Sequence, residues 1–264
     1  MYLLRCTDGW AALNLARADD VDLVPALTGQ SGEAWDAVTR MAASVGVAEF
    51  RDRAIELQLP VAAVGESTPQ PLAAAGSMRV PRKVVDLSAL WAGPLCAGLL
   101  GRAGARVVRI ESLGRPDPTA TGSPRLDSRI NGDKERLALD LRTPEGRAAL
   151  ESELVDADVL VTSARPVALL RLGFDPARLS QLTWVAITAH GFAGPGATRV
   201  GFGDDCAASG GLVRWEDGSP RFLGDALADP LTGLEAALAV LVGQRGLVDI
   251  AMARVASHYA GLLA

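Results

Sequence analysis

From residue 83 onward the apolar positions fall into short unbroken runs separated by stretches of helical spacing. "KVVDLS" reads as a buried strand, "GPLCAGLLGRAGA" as a helix closed by Gly104, and "RVVRIES" as a second strand. Runs this short, apolar on both parities of residue, belong to strands covered on both faces; a helix between two of them makes a βαβ unit with a right-handed crossover. "LALDL", the helix "TPEGRAALESELVDA" and the strands "DVLVTS" and "WVAITA" continue the alternation. The pattern predicts an open, mostly parallel Rossmann-like α/β sheet with helices on both faces, whose sites lie beyond the carboxyl ends of the strands. There is no internal repeat.

The first 65 residues follow a different rhythm. Strand-like pieces in "MYLLRCTDGWAALNLA" flank an Asp-Gly turn signal, and "GEAWDAVTRMAASVG" and "VAEFRDRAIELQ" repeat their apolar residues at helical spacing. "LPVAAVGE" closes the block as a short strand. This predicts a small α+β domain over 1–65, a proline-rich linker over 66–82, and a large α/β domain over 83–264.

Composition narrows the choice of partner. At 264 residues and 49% apolar, the chain has enough material for a sizeable core. A formal charge of -5, with no Lys/Arg run, argues against nucleic acid or an anionic membrane as partner. Cys6, Cys96 and Cys206 are too scattered for a disulfide framework or a zinc site, which fits a reducing compartment. No apolar stretch reaches spanning length and "MYLLRCTDGW" lacks signal-peptide features, so the expectation is a cytoplasmic protein.

The stretch "DALADPLTGLEAALAVL" sets Asp225 and Asp229 just ahead of a strongly apolar helix. Asp229 followed by Pro230 suits an N-cap with proline at the first helical position. The sharper reading makes one of the two carboxylates a nucleophile.

In order along the chain, "VVDLSALWAGPLCAGLLGRAGARVVRIES", "NGDKERLALDLRTPEGRAAL", "ADVLVTSARPVALLRLGFD", "VAITAHGFAGPG" and "DALADPLTGLEAALAVL" resemble the class III CoA-transferase family, also called CaiB/BaiF. That resemblance implies a CoA-transferase that moves CoA between an acyl-CoA and a carboxylic acid, without a metal. It makes Asp229, in "DPLTG", the carboxylate that forms a mixed anhydride and then an aspartyl-CoA thioester. It assigns CoA contacts to Ala92, Gly93 and Pro94 at the start of a helix, and to Arg165 in "SARP", with Arg109 and Lys134 as further phosphate contacts and His190 on the pocket wall. It also implies an interlocked dimer, of two copies or with a sister subunit.

Each residue has a plainer role open to it. Gly93 and Pro94 serve as turn formers, Arg165 as a solvated surface charge, and His190 as a structural histidine. Asp204 and Asp205, in "GFGDDCAASGG", serve as caps for the helix that follows. Racemases of the family carry a His-Asp pair in that stretch; here Phe202, Gly203 and Asp204 leave no imidazole, and racemisation needs an acid and a base on opposite faces.

The chain departs from the family in order. "TDGWAALNLARADDVDLVPAL" and "AIELQLPVAAV" resemble the family's small-domain segments, yet they come first. A permuted arrangement of this kind implies one arm of a fused tandem protein or half of a larger assembly. The glycine-run loop that covers the aspartate in typical transferases has no counterpart here, "LTGQSGEAW" being the nearest stretch and a poor match, so a binding or structural subunit is the competing reading. An unrelated nucleotide-dependent enzyme is disfavoured, because no GxGxxG spacing follows the first strand.

Overall fold

The computed structural model describes residues 1–69, 71 and 76–263. Residues 1–63 form β1 (Tyr2–Arg5), β2 (Trp10–Leu13), α1 (Ala18–Asp22), α2 (Val24–Thr28), α3 (Ala34–Ser44), α4 (Val47–Glu56) and β3 (Val61–Ala63). The alternating part of the chain gives β4 (Lys83–Leu87), α5 (Ala92–Arg102), β5 (Arg106–Ser112), α6 (Thr119–Gly122), α7 (Pro124–Asn131), β6 (Glu135–Leu139), α8 (Pro144–Leu154), β7 (Val159–Thr162), α9 (Pro166–Arg171) and β8 (Thr183–Thr188). The remainder is α10 (Gly203–Ser209), β9 (Val213–Glu216), β10 (Ser219–Phe222), α11 (Ala228–Leu241), β11 (Gly246–Ala251) and α12 (Met252–Leu263).

Two compact units result: residues 1–71, 198–228 and 251–264 in one, and 72–197 and 229–250 in the other. These units are discontinuous in sequence, whereas the expected blocks over 1–65, 66–82 and 83–264 are contiguous. The physical reason lies in α10, which packs on β2, β3 and α12. Gly65 and Ser67 donate backbone hydrogen bonds to the carbonyls of Ala208 and Ser209 at 2.9 and 2.8 Å, so the start of the expected linker is already tied down. Gln70 and residues 72–75 of that expected linker lie outside the described residues.

In the first unit β1, β2 and β3 form an antiparallel sheet in that order. Leu4, Leu13, Val38, Phe50 and Val61 are buried together between the sheet and helices α3 and α4. Glu66 accepts from Arg51 at 3.0 Å and from Arg199 at 2.6 Å, an ionic clasp between sequence-distant segments of this unit.

The second unit carries a six-stranded sheet of order β11-β8-β7-β4-β5-β6. Every register resolved within it, β4 with β5 and β7, β5 with β6, β7 with β8, is parallel. All six residues of β8 are buried, as are all four of β7, which is what burial on both faces predicts. Among the described residues no helix is long and apolar enough to cross a membrane.

Candidate functional site

The chain leaves β4 toward β5 and β6 on one side, then returns to build β7 and β8 on the other. The order reverses between β4 and β7, and the carboxyl edge at such a switch point is the usual ligand position in sheets of this kind. Ser88–Trp91 follow β4 and Ser163–Arg165 follow β7. The Ala89 amide donates to Ser163 Oγ at 2.9 Å, linking the two turns.

Gly93 lets α5 come close to the end of β4, because a Cβ there would collide with the Ser88 side chain. Glycine is thus required for packing, and the start of α5 is held against the turn that follows β4. No side chain caps that start, and the first amides of a helix have no acceptor within it. Ala92, Gly93 and Pro94 are all buried. Leu90, in the preceding turn, holds φ at +66°, a left-handed conformation that costs a residue with a Cβ about 1–3 kcal/mol.

A buried ionic chain holds that turn. Asp86, with no solvent exposure, accepts from Lys134 Nζ at 2.7 Å, Arg109 Nη1 at 3.2 Å and the Ser88 hydroxyl. Arg109 Nη2 lies 2.6 Å from Asp117, whose carboxylate also accepts the Leu90 amide at 3.0 Å. Lys134 directs two further hydrogen bonds to the Pro94 carbonyl and Asn131 Oδ1, both at 2.7 Å.

Burial pushes the Asp86 carboxyl up, but the charges of Lys134 and Arg109 outweigh it and hold it below the usual carboxylate range. Burial lowers the Lys134 ammonium, and Asp86 recovers only part of that. Arg109 and Lys134, the expected phosphate contacts, are both buried and turned toward carboxylates inside the unit. Asp86 and Asp117, which organise them, carry no motif of their own in the sequence.

Asp229 sits in the first turn of α11, half-buried. The helix begins at Ala228, so Asp229 is inside it rather than at its N-cap. One turn on, Gly233 touches α5: a Cβ there would lie 2.7 Å from the Ala92 carbonyl oxygen and 3.1 Å from Leu95 Cβ. Residues four apart share a helix face, so Asp229 is on the side of α11 that meets the start of α5.

Arg165 is exposed just before α9, and His190 is half-buried two residues past β8. Since β7 and β8 are adjacent and parallel, both residues leave the sheet at one edge. The His190 loop is fixed by Asp249 of β11, which accepts the Phe192 amide at 2.9 Å and the Thr188 hydroxyl at 3.3 Å. In the first unit, Asp205 accepts the Phe202 amide at 2.9 Å at the start of α10, whereas Asp204 accepts the Ala226 amide at 2.6 Å. Cys6, Cys96 and Cys206 are buried free thiols.

The sequence pattern described as CoA-transferase family III matches residues 82–254. The chain belongs to CoA-transferase family III. Within that family it is 31% identical over 215 residues to a succinyl-CoA–D-citramalate CoA-transferase of Chloroflexus aurantiacus, covering 71% of this chain and 52% of that protein. It is 29% identical over 175 residues to the human succinyl-CoA:glutarate CoA-transferase, covering 61% and 40%.

Among solved structures, a CaiB/BaiF family protein from Brucella suis superposes with a TM-score of 0.59 at 30% identity, over 69% of this chain and 54% of that one. A hypothetical protein from Mycobacterium tuberculosis gives a TM-score of 0.62 at 26% identity, over 75% and 59%. This family III chain spans about half the length of the curated relatives it matches.

Proposed function

We propose that the chain takes part in transfer of CoA from an acyl-CoA to a carboxylic acid, with Asp229 as the nucleophile. The observation that carries this reading is the contact of Gly233 with Ala92, which seats the helix bearing Asp229 on the uncapped start of α5 at the sheet's switch point.

An Asp229 oxygen attacks the thioester carbon, a C–O bond forms, the C–S bond breaks and CoA leaves as thiolate. The thiolate then attacks Asp229 Cγ, releasing the donor acid and leaving an aspartyl-CoA thioester. The acceptor acid reverses both steps, so no net proton moves. The amides of Ala92 and Gly93 and the Arg165 guanidinium would hold CoA phosphates, an arrangement that suits anions at a helix start. His190 stands on the pocket wall.

The substrates are an acyl-CoA and a carboxylic acid, as the names of the relatives suggest. Assembly with a second chain, a copy or a sister subunit, belongs to the same reading; one relative is named a beta subunit. The test incubates the full chain with succinyl-CoA and then hydroxylamine: Asp229 is expected to gain the hydroxamate mass, and Asp229→Asn to lose both label and CoA exchange. An unlabelled Asp229 with every donor in a panel rejects the reading.

A second reading, an acyl-CoA-binding or structural subunit without chemistry, is favoured by one observation. Arg109 and Lys134 are engaged by Asp86, which removes two of the expected phosphate contacts. CoA bound without exchange would support it.

A further inference from the structure

The Thr232 hydroxyl is wholly buried and has no hydrogen-bond partner among the described residues. A threonine in a helix ordinarily bonds a backbone carbonyl one turn back. Leaving a buried hydroxyl unmatched is costly, and such groups are uncommon enough to call for an explanation.

Its position supplies one. Thr232 lies three residues after Asp229 in α11, a spacing that puts their Cβ atoms about 5–6 Å apart on one helix face. Gly233, next along, is the residue packed on Ala92. The hydroxyl and the carboxylate therefore share the face of α11 directed at the start of α5.

We propose that Thr232 is a catalytic hydrogen-bond donor to the Asp229 carboxyl oxygen. This rests on Asp229 being the nucleophile. When CoA thiolate adds to Asp229 Cγ of the anhydride, a C–S bond forms and the C=O electron pair moves onto oxygen. That oxyanion receives the Thr232 O–H; it then re-forms the carbonyl as the bond to the donor acid breaks. The proton stays on Thr232 throughout. A donor reserved for charge that develops during reaction stabilises the transition state without strengthening ground-state binding.

The experiment compares wild type, Thr232→Val, Thr232→Ser and Asp229→Asn with succinyl-CoA as donor and glutarate as acceptor. Valine keeps the shape and removes the donor. Thr232→Val should unfold at the wild-type temperature or above, because the hydroxyl it lacks satisfies nothing in the resting fold. It should lower kcat about 100-fold with KM for succinyl-CoA unchanged, the range for loss of one oxyanion donor. Appearance of the CoA mass on Asp229 should slow equally, and Thr232→Ser should recover most of kcat. Thr232→Val with wild-type kcat overturns the proposal while leaving Asp229 as nucleophile if Asp229→Asn is inert. A Thr232→Val variant of lowered unfolding temperature overturns it too, since the hydroxyl would then be structural. Wild-type protein that never carries CoA on Asp229 overturns both.

Discussion

Lys134 Nζ lies 2.7 Å from Asp86 Oδ2 with both side chains buried, although 48 residues separate them. Removing one partner of a buried pair strands the other charge, which costs far more than the pair's net contribution. Lys134→Met should therefore destabilise the protein by about 3–5 kcal/mol, read from the urea midpoint. Three hydrogen bonds end on this ammonium, so the turn after β4 should lose protection from amide exchange as well.

Acid should act through the same pair. The Asp86 carboxyl is held below its ordinary value in the fold because Lys134 and Arg109 overcome its burial. Its contribution is complete above the unfolded carboxylate's pKa and is lost as pH falls through the lower folded value. Unfolding free energy should thus drop as pH is taken below about 4. Asp86→Asn should be less stable at neutral pH and should show a shallower acid slope in denaturant titrations.

Gly233→Ala separates two opposed effects. Alanine is intrinsically better than glycine inside a helix by about 1 kcal/mol. Its Cβ would meet the Ala92 carbonyl at 2.7 Å and Leu95 Cβ at 3.1 Å, and neither α5 backbone nor a packed leucine yields cheaply. Overpacking costs about 1–3 kcal/mol, so the net change should be a loss of stability. Exchange activity should fall further than the unfolding temperature suggests, because the displaced helix carries Asp229.

Arg165 is exposed, and its truncation should leave stability within about 0.5 kcal/mol. Arg165→Ala should raise KM for acyl-CoA about tenfold with kcat nearly constant, and the defect should shrink as salt rises. Steady-state kinetics at two ionic strengths checks this.

The central strands were legible because sheets covered on both faces leave unbroken apolar runs, as in "KVVDLS", "DVLVTS" and "WVAITA". The place of Asp229 at the start of an apolar helix was legible in "DPLTGLEAALAVL". The link between Asp86, Arg109 and Lys134 was not, since local periodicity carries no information on side chains that meet across neighbouring strands and loops. Arg109 and Lys134 therefore read as candidate phosphate contacts. The β9–β10 hairpin was also passed over, although Asp217 and Gly218, both at positive φ, form the Asp-Gly turn that marks such hairpins. Its strands are largely exposed, so the apolar alternation that would reveal it is weak. The discontinuous units escaped for a related reason: α10 has the pattern of any buried helix, and nothing in it says which sheet it covers.

The left-handed Leu90 turn, clamped by Asp117 and through it by Arg109, is already bent before any guest arrives. Under the proposed function, a turn held in this way would lose little freedom were CoA to settle against it, so affinity there would not be eroded by the ordering of a floppy loop. Relaxing it, as Asp117→Ala would, should add that ordering cost back and weaken CoA binding.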